Sequence, residues 1–340
     1  MRYLFFFSIL TFFLMTSNGL NGQINPKAGQ FAVQAEYLCW HPLFDQSFFV
    51  FDQAAGAGSL PVGHRHNNPT RWASGLRLEG IYAFTNCDNE FGFRWTHFNS
   101  SFYKSFNKPA GFLIPTQGHA FFAHTDNTFA KSSIHLNFDS AEFFFWKFSL
   151  SKSPHCFVKG GINYSYINFL EHLFYFESPV DRFSTIKERN YCWYVGPAVC
   201  LDFSYSLTSL LPLKCKLPIY LHGDLRGALV VSRSKGSFFE IDQETVFHGV
   251  SNDAHNDPVY RLVPLWDFRL GFSYNITCKD VGFSLEAGYE VLSYHQALQT
   301  TVFPNGSTDP SVFELSGQLS FDIFSNLDFH GPYVALGISY

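Results

Sequence analysis

Charge is scarce in this sequence. Asp, Glu, Lys and Arg together make up 15% of its 340 residues, against roughly a quarter in ordinary soluble domains. The net charge is −5, and nothing in the composition points to a nucleic-acid partner. Long apolar runs are also missing once the N-terminus is passed. The densest stretch, "AEFFFWKFSL", is interrupted by Glu142 and Lys147, so nothing reaches the ~18 residues of a membrane helix. There is no Gly-rich phosphate loop followed by Lys-Ser/Thr and no dinucleotide fingerprint. No two cysteines have the close C-x₂₋₄-C spacing of a structural zinc site. No cofactor is implied.

What is present in excess is aromatic. Phe, Tyr and Trp reach 19%, with 42 Phe, yet the mean hydropathy is only −0.02. So many rings at neutral hydropathy call for a surface that touches something other than water. The N-terminus fits that setting. "MRYLFFFSILTFFLMTSNGLNG" carries Arg2, an apolar run from Leu4 to Met15, and then small polar residues. The run is too short to span a bilayer and has the layout of a secretory signal. Residues 1–22 are read as that signal and 23–340 as the exported barrel, with cleavage after Gly19 or Gly22.

The dominant pattern is period two. "EFGFRWTHF" sets Phe91, Phe93 and Trp95 against Glu90, Gly92, Arg94 and Thr96. "LWDFRLGFSY" sets Trp266, Phe268, Leu270, Phe272 and Tyr274 against Asp267, Arg269, Gly271 and Ser273. "FSLEAGYEV" repeats the scheme, so each segment is a strand with one apolar and one polar face. A soluble sandwich turns the apolar face inward, whereas a membrane barrel turns it outward to lipid and the polar face to a wet lumen. Three features favour the barrel. Opposite charges stand two residues apart on the polar faces (Arg77/Glu79, Asp224/Arg226, Asp267/Arg269). Tyr and Trp gather near segment ends, as interfacial girdles do. Short and long connections alternate.

Strands are expected at about 31–40, 71–84, 90–103, 132–150, 156–168, 189–206, 217–232, 261–276, 281–295 and 326–340. The fold class is therefore all-β: a transmembrane antiparallel up-and-down β-barrel of ten strands with long extracellular loops. Twelve is the alternative, if "ELSGQLSFDI" and "QSFFVFDQ" each add one. Closure requires the last strand, ending in "GPYVALGISY", to pair with the first and face lipid.

Several segments resemble the major outer membrane protein family of Legionella and its relatives among Chlamydia-like bacteria. They are "FAVQAEYLCWHP", "CDNEFGFRWTHFNSS", "CFVKGGINYSYIN", "YVGPAVCLDFSYSL", "YLHGDLRGALVVSRSKG", "LWDFRLGFSYNITCKDVGFSLEAGYEVLSYHQ" and the closing "LDFHGPYVALGISY". The resemblance implies an abundant pore-forming protein of the bacterial outer membrane.

Of the seven cysteines, Cys87, Cys215 and Cys278 fall in predicted periplasmic turns and Cys156 borders the fourth. These four are candidate disulfide cysteines, since the periplasm oxidises thiols; the bland alternative is an unbonded rim thiol. The resemblance to chlamydial envelope proteins extends this to disulfide-linked envelope partners or a homo-oligomer. His64 and His66 in "GHRHNN", and Asp253, His255 and Asp257 in "DAHND", are read as solvated loop residues without a third ligand.

The pore-lining candidates share the inward parity of their strands: Arg77, Glu79, Glu90, Arg94, Lys159, Asp202, Asp224, Arg226, Asp267, Arg269, Glu286 and Glu290. Charge rings tune ion selectivity in an open channel, and in a narrow barrel they fill it with salt bridges. The acidic excess favours mild cation preference if the lumen is open. The expected function is a porin-like pore for passive diffusion of small hydrophilic solutes and ions. The alternative is a structural or adhesive barrel, disulfide-linked in the envelope, with loops contacting a host. His222, Asp224 and Ser232 assemble into no catalytic group, so no enzyme is expected.

Overall fold

The computed structural model describes residues 28–44, 48–53, 63–85, 89–108, 112–115, 127–150, 156–177, 182–207, 219–244, 247–255, 257–278, 281–302 and 321–340. The signal reading of residues 1–22 lies outside them, as do Cys87 and Cys215.

Fourteen strands and no helix make up the described chain. They are β1 Phe31–Phe44, β2 Phe48–Gln53, β3 Gly63–Asn67, β4 Ala73–Ala83, β5 Glu90–Asn107, β6 Phe112–Pro115 and β7 Phe129–Ser149, then β8 Cys156–Glu177, β9 Arg182–Ser206, β10 Ile219–Glu244, β11 Phe247–His255, β12 Val259–Cys278, β13 Val281–Val302 and β14 Phe321–Ser339. Ten of these form one antiparallel barrel, in the order β1-β4-β5-β7-β8-β9-β10-β12-β13-β14. It closes where β14 meets β1: Phe31 and Tyr340 exchange backbone hydrogen bonds of 2.9 and 3.0 Å. Each expected strand is present, and the count is ten. "QSFFVFDQ" does hold a strand, β2, but it joins β3 and β6 in a separate three-stranded sheet. Most of "ELSGQLSFDI" lies outside the described residues.

Alternation decides which way each face points. On β13 and β14 the exposed set is Phe283, Leu285, Tyr289, Val291, Val334, Leu336, Ile338 and Tyr340, while Glu286, Glu290 and Tyr333 are buried. The outward apolar set of β13 covers nine residues, about 26 Å of strand at ~3.3 Å per residue. Tilted near 40°, that is a band of roughly 20 Å, close to the apolar height of a membrane barrel.

The strands are longer than that band requires. β8, β9 and β10 run for 22, 25 and 26 residues, against ~9–11 for a spanning strand. Their excess rises at the long-loop rim, where β11 pairs with the upper part of β10. The small sheet β2-β3-β6 sits there too. Its Phe49, Val50 and Leu113 pack with Ala130, Leu173, Tyr175, Ile186 and Phe238 of the barrel strands, and the Tyr175 hydroxyl donates to the Phe49 carbonyl at 2.6 Å.

Candidate functional site

The barrel interior is built in two storeys. Nearest the short-turn rim is a layer of charge. Arg77 donates to Glu36 at 3.0 Å, to Glu290 at 2.6 and 3.1 Å, and to Thr96 at 2.9 Å. Arg94 donates to Glu79 from both Nε and Nη2. Arg226 reaches Asp224, Asp267 at 3.2 Å and Glu142 at 3.5 Å. Arg269 holds Glu36 at 2.9 Å and lies over the Tyr333 ring at 4.2 Å. Lys159 bridges Glu90 at 2.8 Å and Asp202 at 2.7 Å. Several of these pairs join strands that are not neighbours, such as β4 with β13 and β5 with β10, so the network crosses the lumen.

All twelve residues chosen by parity lie in this layer, eleven of them buried outright. Parity reasoning missed three of its charged members. Glu36 sat unremarked in "FAVQAEYLCWHP", although its alternation with Val33, Ala35 and Tyr37 carried the signal. Glu142 and Lys147 registered only as interruptions of an apolar run. Their spacing is odd, so a regular strand would point them to opposite faces. A bulge between Phe144 and Trp146 restores both to the interior, with Phe145 and Trp146 consecutively exposed. Lys147 then donates to Glu90 at 2.9 Å. With these, six cations (Arg77, Arg94, Lys147, Lys159, Arg226, Arg269) face nine carboxylates (Glu36, Glu79, Glu90, Glu142, Asp202, Asp224, Asp267, Glu286, Glu290).

A cavity of about 40 Å³ lies within the layer, lined by Glu79, Arg94, Lys159, Asp202, His222 and Arg269 among others. That is room for a few waters at most. Two facing glycines in the layer, Gly271 and Gly288, make room for the Tyr333 hydroxyl. A Cβ on Gly271 or Gly288 would come within 2.7 or 2.6 Å of the Tyr333 hydroxyl. Donor atoms of Cys200, Asp202 and Asp224 fall within 4.8 Å of one another. They do not suit a metal ion, because Lys159 and Arg226 already hold the carboxylates and Arg226 Nε also approaches Cys200 Sγ at 3.4 Å.

Above the charge is a storey of rings. Trp40 stands 5.0 Å from Phe329, 5.8 Å from Phe98 and 6.0 Å from Phe138, centroid to centroid. Tyr294 lies 5.7 Å from Phe138 and 5.3 Å from Tyr194. These side chains come from six strands and all are fully buried. The Tyr294 hydroxyl, from β13, crosses to Ser165 on β8 at 2.7 Å. A register shift between Tyr294 and Leu298 turns Ala297 and Leu298 inward, where Tyr194 donates to the Ala297 carbonyl at 3.0 Å. Arg77 joins the storeys, with its guanidinium 5.6 Å from the Trp40 ring.

Of the four candidate disulfide cysteines, two are described, Cys156 and Cys278. Cys156 and Cys278 carry free thiols, as do Cys39, Cys192 and Cys200. Cys156 and Cys278 stand on strands that do not adjoin, so these two are not paired with each other. His66, expected in a solvated loop, is in β3, 3.9 Å from Asp52 and against Phe106.

The family described as "Legionella pneumophila major outer membrane protein precursor" matches residues 24–340. The chain belongs to that family. It is a bacterial outer-membrane barrel, so the short-turn rim is periplasmic and the long-loop rim extracellular. No curated protein matches this member of the family. Among solved structures it is similar to the outer membrane protease OmpT of Escherichia coli, at 10% identity over 94% of this chain and 98% of that one, TM-score 0.38. The translocator domain of the autotransporter NalP from Neisseria meningitidis matches at 10% identity over 100% and 94%, TM-score 0.36. The toluene transporter TodX of P. putida matches at 7% identity over 93% and 90%, TM-score 0.26.

Proposed function

We propose that this family member is an occluded outer-membrane barrel: a filled pedestal that stiffens the envelope and holds a β-rich head at the cell surface. The observation that carries this reading is the ring storey. Trp40, Phe98, Phe138, Phe329, Tyr294 and Tyr194 meet across the lumen at ring-contact distances, within one buried apolar cluster of the described residues. The small sheet packed into the extracellular mouth adds a second obstruction. The reading involves no chemical step. Cys278, exposed at the β12–β13 turn, is where a disulfide to another envelope protein or a second copy would form, and the head is the part placed to meet a host surface.

The second reading is the diffusion pore for small hydrophilic solutes and ions. It draws on the charge layer, whose excess of three carboxylates would favour cations. It requires the ring storey and the small sheet to move aside together.

The two readings separate in a planar bilayer. Full-length protein shown to be folded is expected to give no stepwise conductance, while W40A/F138A/F329A opens ohmic steps. Steps from the unaltered protein, with a cation-selective reversal potential in a salt gradient, would overturn the occluded reading and put the pore first.

A further inference from the structure

Above the lipid-facing band the outer wall divides into two unlike sectors. On β13, β14 and β1 the outward positions there are Ser293, Asp328, His330 and His41, with Ser293 donating to Asp328 at 2.6 Å. On β9 and β10 they are Lys187, Arg189, Arg233 and Lys235. Register sets this second group side by side: Trp193 opposes Arg233, Tyr191 opposes Lys235, and Arg189 opposes Ser237, one diagonal from Lys235. The neighbouring strands add Lys131 and His172, on the same outward parity.

Three properties mark this sector as a binding surface. It begins at the membrane boundary: Arg233 is two residues above Val231, which is exposed in the apolar band, or about 7 Å along the strand. It carries an aromatic bed, with Arg189 4.2 Å over the Tyr191 ring and Arg233 6.0 Å from the Tyr260 ring. Its charge is unspent. None of Lys187, Arg189, Arg233 and Lys235 is within ion-pair distance of a carboxylate among the described residues. The nearby Glu188 and Glu240 are buried on the inner face, and the exposed Asp257 beside the start of β12 is not paired with them.

We infer that the β9–β10 wall binds the phosphorylated headgroup of an outer-leaflet lipid. The lipid's acyl chains would lie on Val195, Leu229 and Val231 while its phosphates meet Arg189, Arg233 and Lys235. Cations at this height gain from anionic headgroups, and guanidinium forks suit phosphate oxygens. Complementarity points to lipid because the charge is continuous with the apolar wall below it. A soluble anion would have no use for that wall.

The test is native mass spectrometry of the refolded full-length protein, offered bis-phosphorylated lipid A and the same lipid stripped of phosphate. The protein should retain the phosphorylated form at least about tenfold better. R189Q/R233Q/K235Q should erase that preference, and R71Q, on the opposite side of the barrel, should leave it intact. If the triple variant does not fold, the exposed single changes R189Q and K235Q carry the test, each expected to reduce retention severalfold. Equal retention of both lipids, or full retention by a folded triple variant, would overturn the proposal. So would displacement of the lipid by equimolar inorganic phosphate or a sulfated oligosaccharide, since that would assign the patch to a soluble anion or a host polysaccharide.

Discussion

The two storeys of the interior fill the same barrel by opposite means. The charge layer is directional: Arg77 serves Glu36, Glu290 and Thr96 at once, so each group is placed by the others. The ring layer is not. Trp40, Phe98, Phe138 and Phe329 touch through broad faces and edges at varied tilts. Buried ions are costly to desolvate and are held only by their partners, whereas buried rings are stabilised in proportion to the area removed from water. The charge layer should therefore be intolerant of any single loss, and the ring layer graded by volume.

The largest effect expected is from Arg77→Met, which strands the Glu290 carboxylate inside the barrel and leaves Glu36 to Arg269 alone. It should destabilise by about 3–5 kcal/mol, read as a lower urea midpoint for the protein folded in lipid vesicles. Arg77→Lys should recover little of this, because an ammonium cannot reproduce the fork that spans both carboxylates; full recovery would show that position, not geometry, matters there. Next comes Gly288→Ala in the same layer. Its Cβ would lie 2.5 Å from the Leu270 carbonyl oxygen and 2.6 Å from the Tyr333 hydroxyl, for a loss of roughly 1–3 kcal/mol in the same assay. Phe138→Leu, in the ring layer, should cost less than about 1.5 kcal/mol. A penalty matching that of Arg77→Met would erase the contrast between the storeys.

The smallest effect lies outside both storeys, in the small sheet. Burial lowers the His66 pKa from 6.5, and the nearby Asp52 carboxylate only partly opposes this. The folded sheet thus favours the neutral ring. Stability that is present above pH 6.5 is lost as pH falls below it toward the lowered value. Limited proteolysis of the extracellular head should accelerate modestly over that window. His66→Gln should remove the dependence, and an unchanged pH profile in that variant would assign it to another group.

Strand positions and facing were legible because alternation is a local property: Phe283 to Val291 and Val334 to Tyr340 show their lipid face within a few residues. Closure at β14–β1 followed from the need to leave no backbone group unpaired in lipid. The inward charges could be named for the same reason, except where the pleat breaks. Glu142 and Lys147 were hidden by a bulge that no period-two pattern reports.

The sequence by itself determined the barrel, its membrane and the parity of its walls, because lipid on one side forces a simple repeat on every strand; it left ten and twelve strands both open, and the structure has ten. What stands inside the barrel at the height of the rings emerged only in three dimensions. Trp40, Phe98, Phe138 and Phe329 are far apart in the chain and fall on the polar-parity face of their strands. They become a layer only when a ten-strand circumference is narrow enough for rings from opposite walls to touch.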